Sequence, residues 1–165
     1  MLAAHPKSTV LLMKIVDILS EDLIVPELES KTRDAVLREL VAAVVRVHPI
    51  VPVDGAVRVL ADREDIGSTG VGQGLAIPHA KLRRLSRAVA VFGRSSAGID
   101  FQARDGQPCH LFLALLAPEG NAGVHLKALA RASRLFKESA FLQALRDAPP
   151  DQVWSLIRAK DAELG

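Results

Sequence analysis

Cysteine and tyrosine are nearly absent. Cys109 stands alone, so the chain can form no internal disulfide and no cysteine-rich metal site. Such usage fits a reducing compartment. Aromatic residues make up 4% of the 165 positions, so a core has to be built from Leu, Val, Ile and Ala. An excess of one charge is missing too. The formal net charge is +2, too small to point to nucleic acid. Long apolar runs are also lacking: Lys14 and Asp17 break the stretch 10–19, and Arg46 and His48 break 40–53. Neither reaches the ~20 apolar residues of a membrane span. No small-residue cleavage site follows a clean apolar region, so no secretion signal is read. The expectation is a cytoplasmic protein with no membrane insertion and no nucleic-acid partner.

What is present is a globular composition, 49% apolar and 24% charged, of a length that suits one domain over 1–165. Residues 1–8 read as a loose start. Helical spacing of apolar residues predicts a helix over 9–19, another over 31–47 capped by Ser30, and a third from Asp54 to about Arg63. Residues 23–25 form a short strand candidate stopped by Pro26. Residues 67–74 carry four glycines and read as a loop. Strands are predicted at 75–77, 88–92 and 111–116, with an edge strand at 99–101 inside a turn-rich stretch 95–108. Helices follow at 122–137, 139–146 and 151–162, the last with Pro150 in its first turn. Mixed strands with helices at both ends predict an α/β fold, a three-layer sandwich with a mixed sheet flanked by helices on both faces.

The chemistry-bearing segment runs from Arg63 to Lys81. Gly67 and Gly72 have the separation of a phosphate-binding P-loop, but Gln73-Gly74 follows where Lys and Ser/Thr are needed. Gly70, Gly72 and Gly74 give G-x-G-x-G, with the strand candidate after it, where a dinucleotide fingerprint needs the strand before. Both nucleotide readings fail. What remains is an anion site beside a nucleophile. Glycine-loop N–H groups can cradle phosphate oxygens, Ser68 and Thr69 add hydroxyls, and Arg63 offers a planar fork. His79 follows the rigid Pro78. Its imidazole, with an ordinary pKa of ~6.5, is largely neutral and nucleophilic at pH 7, and a nearby Arg would lower that value further. The glycines also suit a plain chain turn, and the basic run 81–87 suits an ordinary solvated face.

In combination, Arg63, Gly67-Ser68-Thr69-Gly70-Val71-Gly72-Gln73-Gly74 and Ala76-Ile77-Pro78-His79-Ala80-Lys81 resemble the active-site signature of the mannitol/fructose-type enzyme IIA family of the bacterial phosphotransferase system. The nitrogen-related regulatory branch of that family, PtsN, is the nearest match. Residues 18–24, the stretch 31–44 and His125-Leu126-Lys127-Ala128-Leu129-Ala130 fall where the family has them, so the resemblance spans a core of about 14–162.

The resemblance implies a phosphoryl carrier, a phosphotransferase component more than a turnover enzyme. His79 would accept phosphate from a phosphohistidine carrier protein of the HPr or NPr type. Arg63 would bind the phosphoryl oxygens, joined by Ser68, Thr69 and Gly70, and His125 would be the second active-site histidine. No metal or cofactor is implied, since the donor already holds an activated phosphoryl group. Val71, Leu75 and Leu82 are candidates for the rim that meets the donor. His5, His48 and His110 match no motif and take no role. Ala80 departs from the family's Gly after the histidine, and Gln73 stands where Asn is common. Two other outputs stay open: a protein-interaction regulator of the same fold without phosphorylation, and a fructose or mannitol uptake component. The regulatory target is not legible.

Overall fold

Apolar residues at helical spacing decide the two long helices of the first half. In the computed structural model, which describes residues 13–165, α1 (Arg33–Val47) buries Val36, Leu37, Leu40, Val41, Ala43 and Val44. Its cap is Thr32, whose hydroxyl oxygen accepts the Ala35 N–H at 3.3 Å. The expected cap, Ser30, instead donates to the Glu39 carboxylate at 2.7 Å. α2 (Val53–Ile66) starts one residue ahead of Asp54 and runs one turn past its expected end at Arg63. Its buried positions are Ala56, Val57, Leu60 and Glu64.

The sheet has six strands: β1 (Ile24–Val25), β2 (Gly70–Gly72), β3 (Leu75–Ala76), β4 (His79–Leu82), β5 (Val89–Ile99) and β6 (Cys109–Pro118). Its order is β1-β5-β6-β3-β2, with β4 also paired to β6. β5 and β6 run antiparallel, as do β2 and β3, whereas β1 is parallel to β5. Both β3 and β4 lie parallel to β6, one after the other: Ala76 is opposite Phe112 and His79 opposite Leu115. Pro78 falls between them, and its carbonyl still accepts the Leu115 N–H at 2.8 Å. The α/β three-layer arrangement is the expected one. α1 and α2 pack together against β5 and β4, while α3 (Ala122–Leu135) and α4 (Ser139–Asp147) pack against β6, with α5 (Val153–Leu164) behind α3. Gly93 lets α1 lie close on β5, because a Cβ there would stand 2.7 Å from the Leu40 side chain.

Four local expectations are corrected. Within the expected loop 67–74, Gly70–Gly72 form β2, paired antiparallel with β3. The segment 99–101 is no separate edge strand, because β5 continues to Ile99 across a register shift after Arg94. The turn formers there serve a bulge, in which Ser95 Oγ accepts the Gly98 N–H at 3.1 Å. Residues 79–82 form a strand that was not expected. Finally, the described part of the 9–19 helix is one 3-10 turn, Ile15–Asp17. The N–H groups of Ile15 and Val16 donate to Asp161 at 3.1 and 3.2 Å, which diverts them from a helical ladder. Residues 1–12, including the loose start and the early part of that helix, lie outside the described residues.

Asp161 gathers three elements. It also pairs with Arg131 of α3 at 2.7 Å, with the two side chains 1% and 5% exposed. Removing one partner of a buried pair strands the other charge, at a cost of about 3–5 kcal/mol. Asp161→Ala should therefore lower the unfolding free energy by an amount in that range, read as a lower denaturant midpoint with an unchanged slope. Equilibrium urea unfolding measures it, and a loss below about 1 kcal/mol would show that the pair holds nothing together.

Candidate functional site

His79 opens β4 directly after Pro78. Its Nδ1 lies 2.7 Å from the Ile77 carbonyl oxygen. A carbonyl only accepts, so Nδ1 carries the proton and Nε2 presents its lone pair. His79 is half-buried. Its ring centroid stands 5.4 Å from that of His125, tilted by 55°. His125 sits in the first turn of α3, whose start is fixed by Asn121: its side-chain oxygen accepts the Val124 N–H at 3.2 Å. Unpaired N–H groups in a first helical turn favour nearby anionic charge. Burial, then the neighbouring His79 and Lys81, hold the His125 pKa below its ordinary value.

The glycine loop is organised from the end of α2. Arg63, half-buried, donates from Nη1 to the Gly67 carbonyl at 2.7 Å and pairs with no carboxylate among the described residues. Next to it, Glu64 is 5% exposed. One of its oxygens accepts the Thr69 N–H at 2.9 Å, and the other accepts the Thr69 hydroxyl. Ser68 donates its hydroxyl to the Phe101 carbonyl at 2.6 Å and accepts the Gly70 N–H at 3.0 Å. A Cβ on Gly70 would stand 2.8 Å from the Ala103 side chain, so this position needs glycine for close approach.

The structure thus brings His79 and His125 together. It turns the Arg63 guanidinium onto the loop, at the end of a helix that packs on β4. The polar groups of Ser68, Thr69 and Gly70 are spent within the fold. A hydroxyl that already donates to Glu64 or Phe101 has no second proton for a phosphoryl oxygen. Of the expected rim, Val71 is exposed, whereas Leu75 and Leu82 are buried in the core. Leu75 lies on β3, both of whose residues are buried, and Leu82 on an inward position of β4, strands too short to display their burial in the sequence. Leu126, the residue after His125 on α3, is 65% exposed. The Ala80 methyl is buried on a strand position at ordinary φ, opposite Leu116. Gln73 does take a left-handed φ of 58°, which suits Asn better than Gln.

Sequence reading missed Glu64. A signal existed: it shares the buried stripe of α2 with Ala56, Val57 and Leu60, where a carboxylate needs a partner. The clefts of about 410, 300 and 260 Å³ do not include His79 in their linings. Burial pushes the Cys109 thiol up to about 12, so it is no nucleophile. Among the described residues no cluster of three His, Cys, Asp or Glu side chains could hold a metal ion, and no helix is long and apolar enough to cross a membrane.

Two adjacent histidines at the surface of this sheet make the candidate site, and the comparisons show the family. Residues 17–160 match the family model for the phosphoenolpyruvate-dependent sugar phosphotransferase system, EIIA 2. The chain belongs to that family. A nitrogen regulatory protein of Bradyrhizobium diazoefficiens is 41% identical over 135 residues, covering 81% of this chain and 87% of that one. A fructose-specific EIIABC component of Bacillus subtilis is 35% identical over 150 residues, covering 90% of this chain and 24% of that one. The crystal structure of nitrogen regulatory protein IIA-Ntr from Neisseria meningitidis superposes with a TM-score of 0.80 at 29% identity, covering 87% of this chain and 98% of that one. Within the family, the likeness runs to the nitrogen regulatory branch.

The lowered His125 pKa fixes a sign. A histidine with a depressed folded-state value binds its proton more weakly folded than unfolded. Its contribution to stability is complete above about pH 6.5 and is lost as pH falls toward the folded-state value. Histidine NMR titration should find His125 titrating below 6.5 and moving up toward it in His79→Gln, which removes the facing charge. A His125 midpoint at or above 6.5 would contradict the geometry.

Proposed function

We propose that this chain is a phosphoryl carrier in which Nε2 of His79 accepts phosphate from a phosphohistidine carrier protein of the HPr or NPr type. The carrying observation is the hydrogen bond from Nδ1 of His79 to the Ile77 carbonyl, which leaves Nε2 as the nucleophile. In the transfer, the Nε2 lone pair forms the new N–P bond while the donor's N–P electron pair returns to the donor ring. Both rings keep their N–H throughout, so no proton has to move. The exchange joins groups of like chemistry, so the protein's part is positioning and charge stabilisation. His125 supplies a second ring beside the incoming group, and Arg63 turns its free N–H groups from the loop to the phosphoryl oxygens. Ser68, Thr69 and Gly70 shape the loop, and reach the phosphoryl group only by giving up the bonds they now hold.

A protein donor suits a reacting histidine at the surface. The groove of about 300 Å³ between Val59, Leu82, Lys81, Arg83 and Arg84, in which Glu119 pairs with Arg83 at 3.5 Å, begins two residues past His79 on β4 and offers a mixed apolar and basic docking face. We assign the work to a single domain over 1–165 with its core at 14–162, acting in the cytoplasm. The output is regulatory and nitrogen-related, on the strength of the 41% identical relative. A second output, sugar uptake, is favoured by the 35% identity to the fructose-specific component.

Incubation with a phosphorylated carrier should place acid-labile phosphate on the wild-type chain and none on His79→Ala. Arg63→Ala should slow transfer by roughly 10²–10³-fold, the usual effect of removing one donor from a developing anion. Label that persists in His79→Ala would overturn the reading. Absence of label on the wild type, with a partner retained, would favour the interaction regulator.

A further inference from the structure

We infer that Glu64 is a positioning residue for His79, acting through Thr69 and Ile77. The inference rests on the reading of His79 as phosphoryl acceptor. A continuous path of hydrogen bonds joins the two side chains. The Glu64 carboxylate takes both donors of Thr69, its N–H at 2.9 Å and its hydroxyl. The Thr69 carbonyl accepts the Ile77 N–H at 3.0 Å. The Ile77 carbonyl accepts Nδ1–H of His79 at 2.7 Å.

Each link constrains the next. Glu64 and Thr69 are both buried, so water competes poorly for these bonds and they are strong. Holding Thr69 at two points fixes the direction of its carbonyl. That carbonyl anchors the Ile77 backbone where the chain leaves β3, the place at which Pro78 interrupts pairing to β6. The Ile77 carbonyl then fixes the imidazole's rotation and its tautomer. Glu64 touches neither donor nor phosphate. It determines whether Nε2 points outward with its lone pair. Arg63, the preceding residue, ties the same loop at Gly67, so two consecutive residues of α2 hold the start of the loop at Gly67 and Thr69.

A carboxylate is required here, and an amide is not equivalent. Gln at 64 can accept the Thr69 N–H, but its Nε2 cannot accept the hydroxyl proton. The hydroxyl would reverse its role and the two-point hold would loosen. Thr69→Val removes the same bond from the other side, while Thr69→Ser keeps it.

The test pairs long-range ¹H–¹⁵N histidine spectra with phosphorylation kinetics, on variants whose far-UV spectra match the wild type. In the wild type, His79 should show the Nδ1–H tautomer alone. Glu64→Gln and Thr69→Val should each show tautomer averaging at His79. Each should also lose about 10–100-fold in the rate at saturating phosphorylated donor, with the donor KM within twofold of wild type. The double variant should be no worse than either single one, and Thr69→Ser should stay within about threefold of wild type. A folded Glu64→Gln with the wild-type His79 spectrum and rate would overturn the inference and leave the carrier reading standing. So would a loss carried by KM alone, or a Thr69→Ser as impaired as Thr69→Val. A wild-type His79 locked in its tautomer but never phosphorylated would overturn the carrier reading instead.

Discussion

A proline cannot donate to a sheet ladder, and Pro78 stands where the chain passes from one stretch of parallel pairing on β6 to the next. β3 reaches Ala76 opposite Phe112, and β4 resumes at His79 opposite Leu115. Pro78 gives β6 no N–H there, and Ile77, whose own N–H bonds the Thr69 carbonyl away from β6, presents its carbonyl to the His79 ring. Nearly everything at the site depends on that arrangement. It sets the tautomer, it points Nε2 away from the backbone, and it places the ring beside His125 on the first turn of α3. The break is affordable to the sheet because the Pro78 carbonyl keeps its bond to Leu115.

The structure beneath the site shapes it. The loop's hydroxyls face inward to Glu64 and Phe101, and His79 lines none of the clefts described. An enzyme that binds a small phosphate donor needs enclosure and several fixed donors. A carrier that meets another protein needs an accessible nucleophile and a face to dock on. For the carrier proposed here, the docking protein would complete the enclosure over a half-buried histidine whose strand also supplies Lys81 and Leu82 to a neighbouring groove.

Much of this was legible in the sequence. The long helices and β6 follow from apolar spacing, and the α/β sandwich follows from their order. His79 was singled out by what surrounds it, the glycine loop, Pro78 and Arg63. What escaped notice depends on distant partners. Nothing local announces that Asp161 diverts the N–H groups of Ile15 and Val16 and ends a helix-like pattern. Ser68 and Thr69 look like phosphate donors until Phe101 and Glu64 are seen to hold them. Ser95 and Gly98 look like a turn, yet they make a bulge because β6 continues beside them. Leu75 and Leu82 look available because their strands are too short to display their burial. Glu64 is the instructive miss, a carboxylate on the apolar stripe of α2 whose partner lies five residues on.

The nitrogen that carries phosphate is the most direct test of the arrangement. Phosphorus–nitrogen couplings in the ¹⁵N-histidine-labelled phosphoprotein identify both the residue and the ring atom. The geometry predicts phosphate on Nε2 of His79, with Nδ1 still protonated. Phosphate on Nδ1 of His79, or on His125, would contradict it.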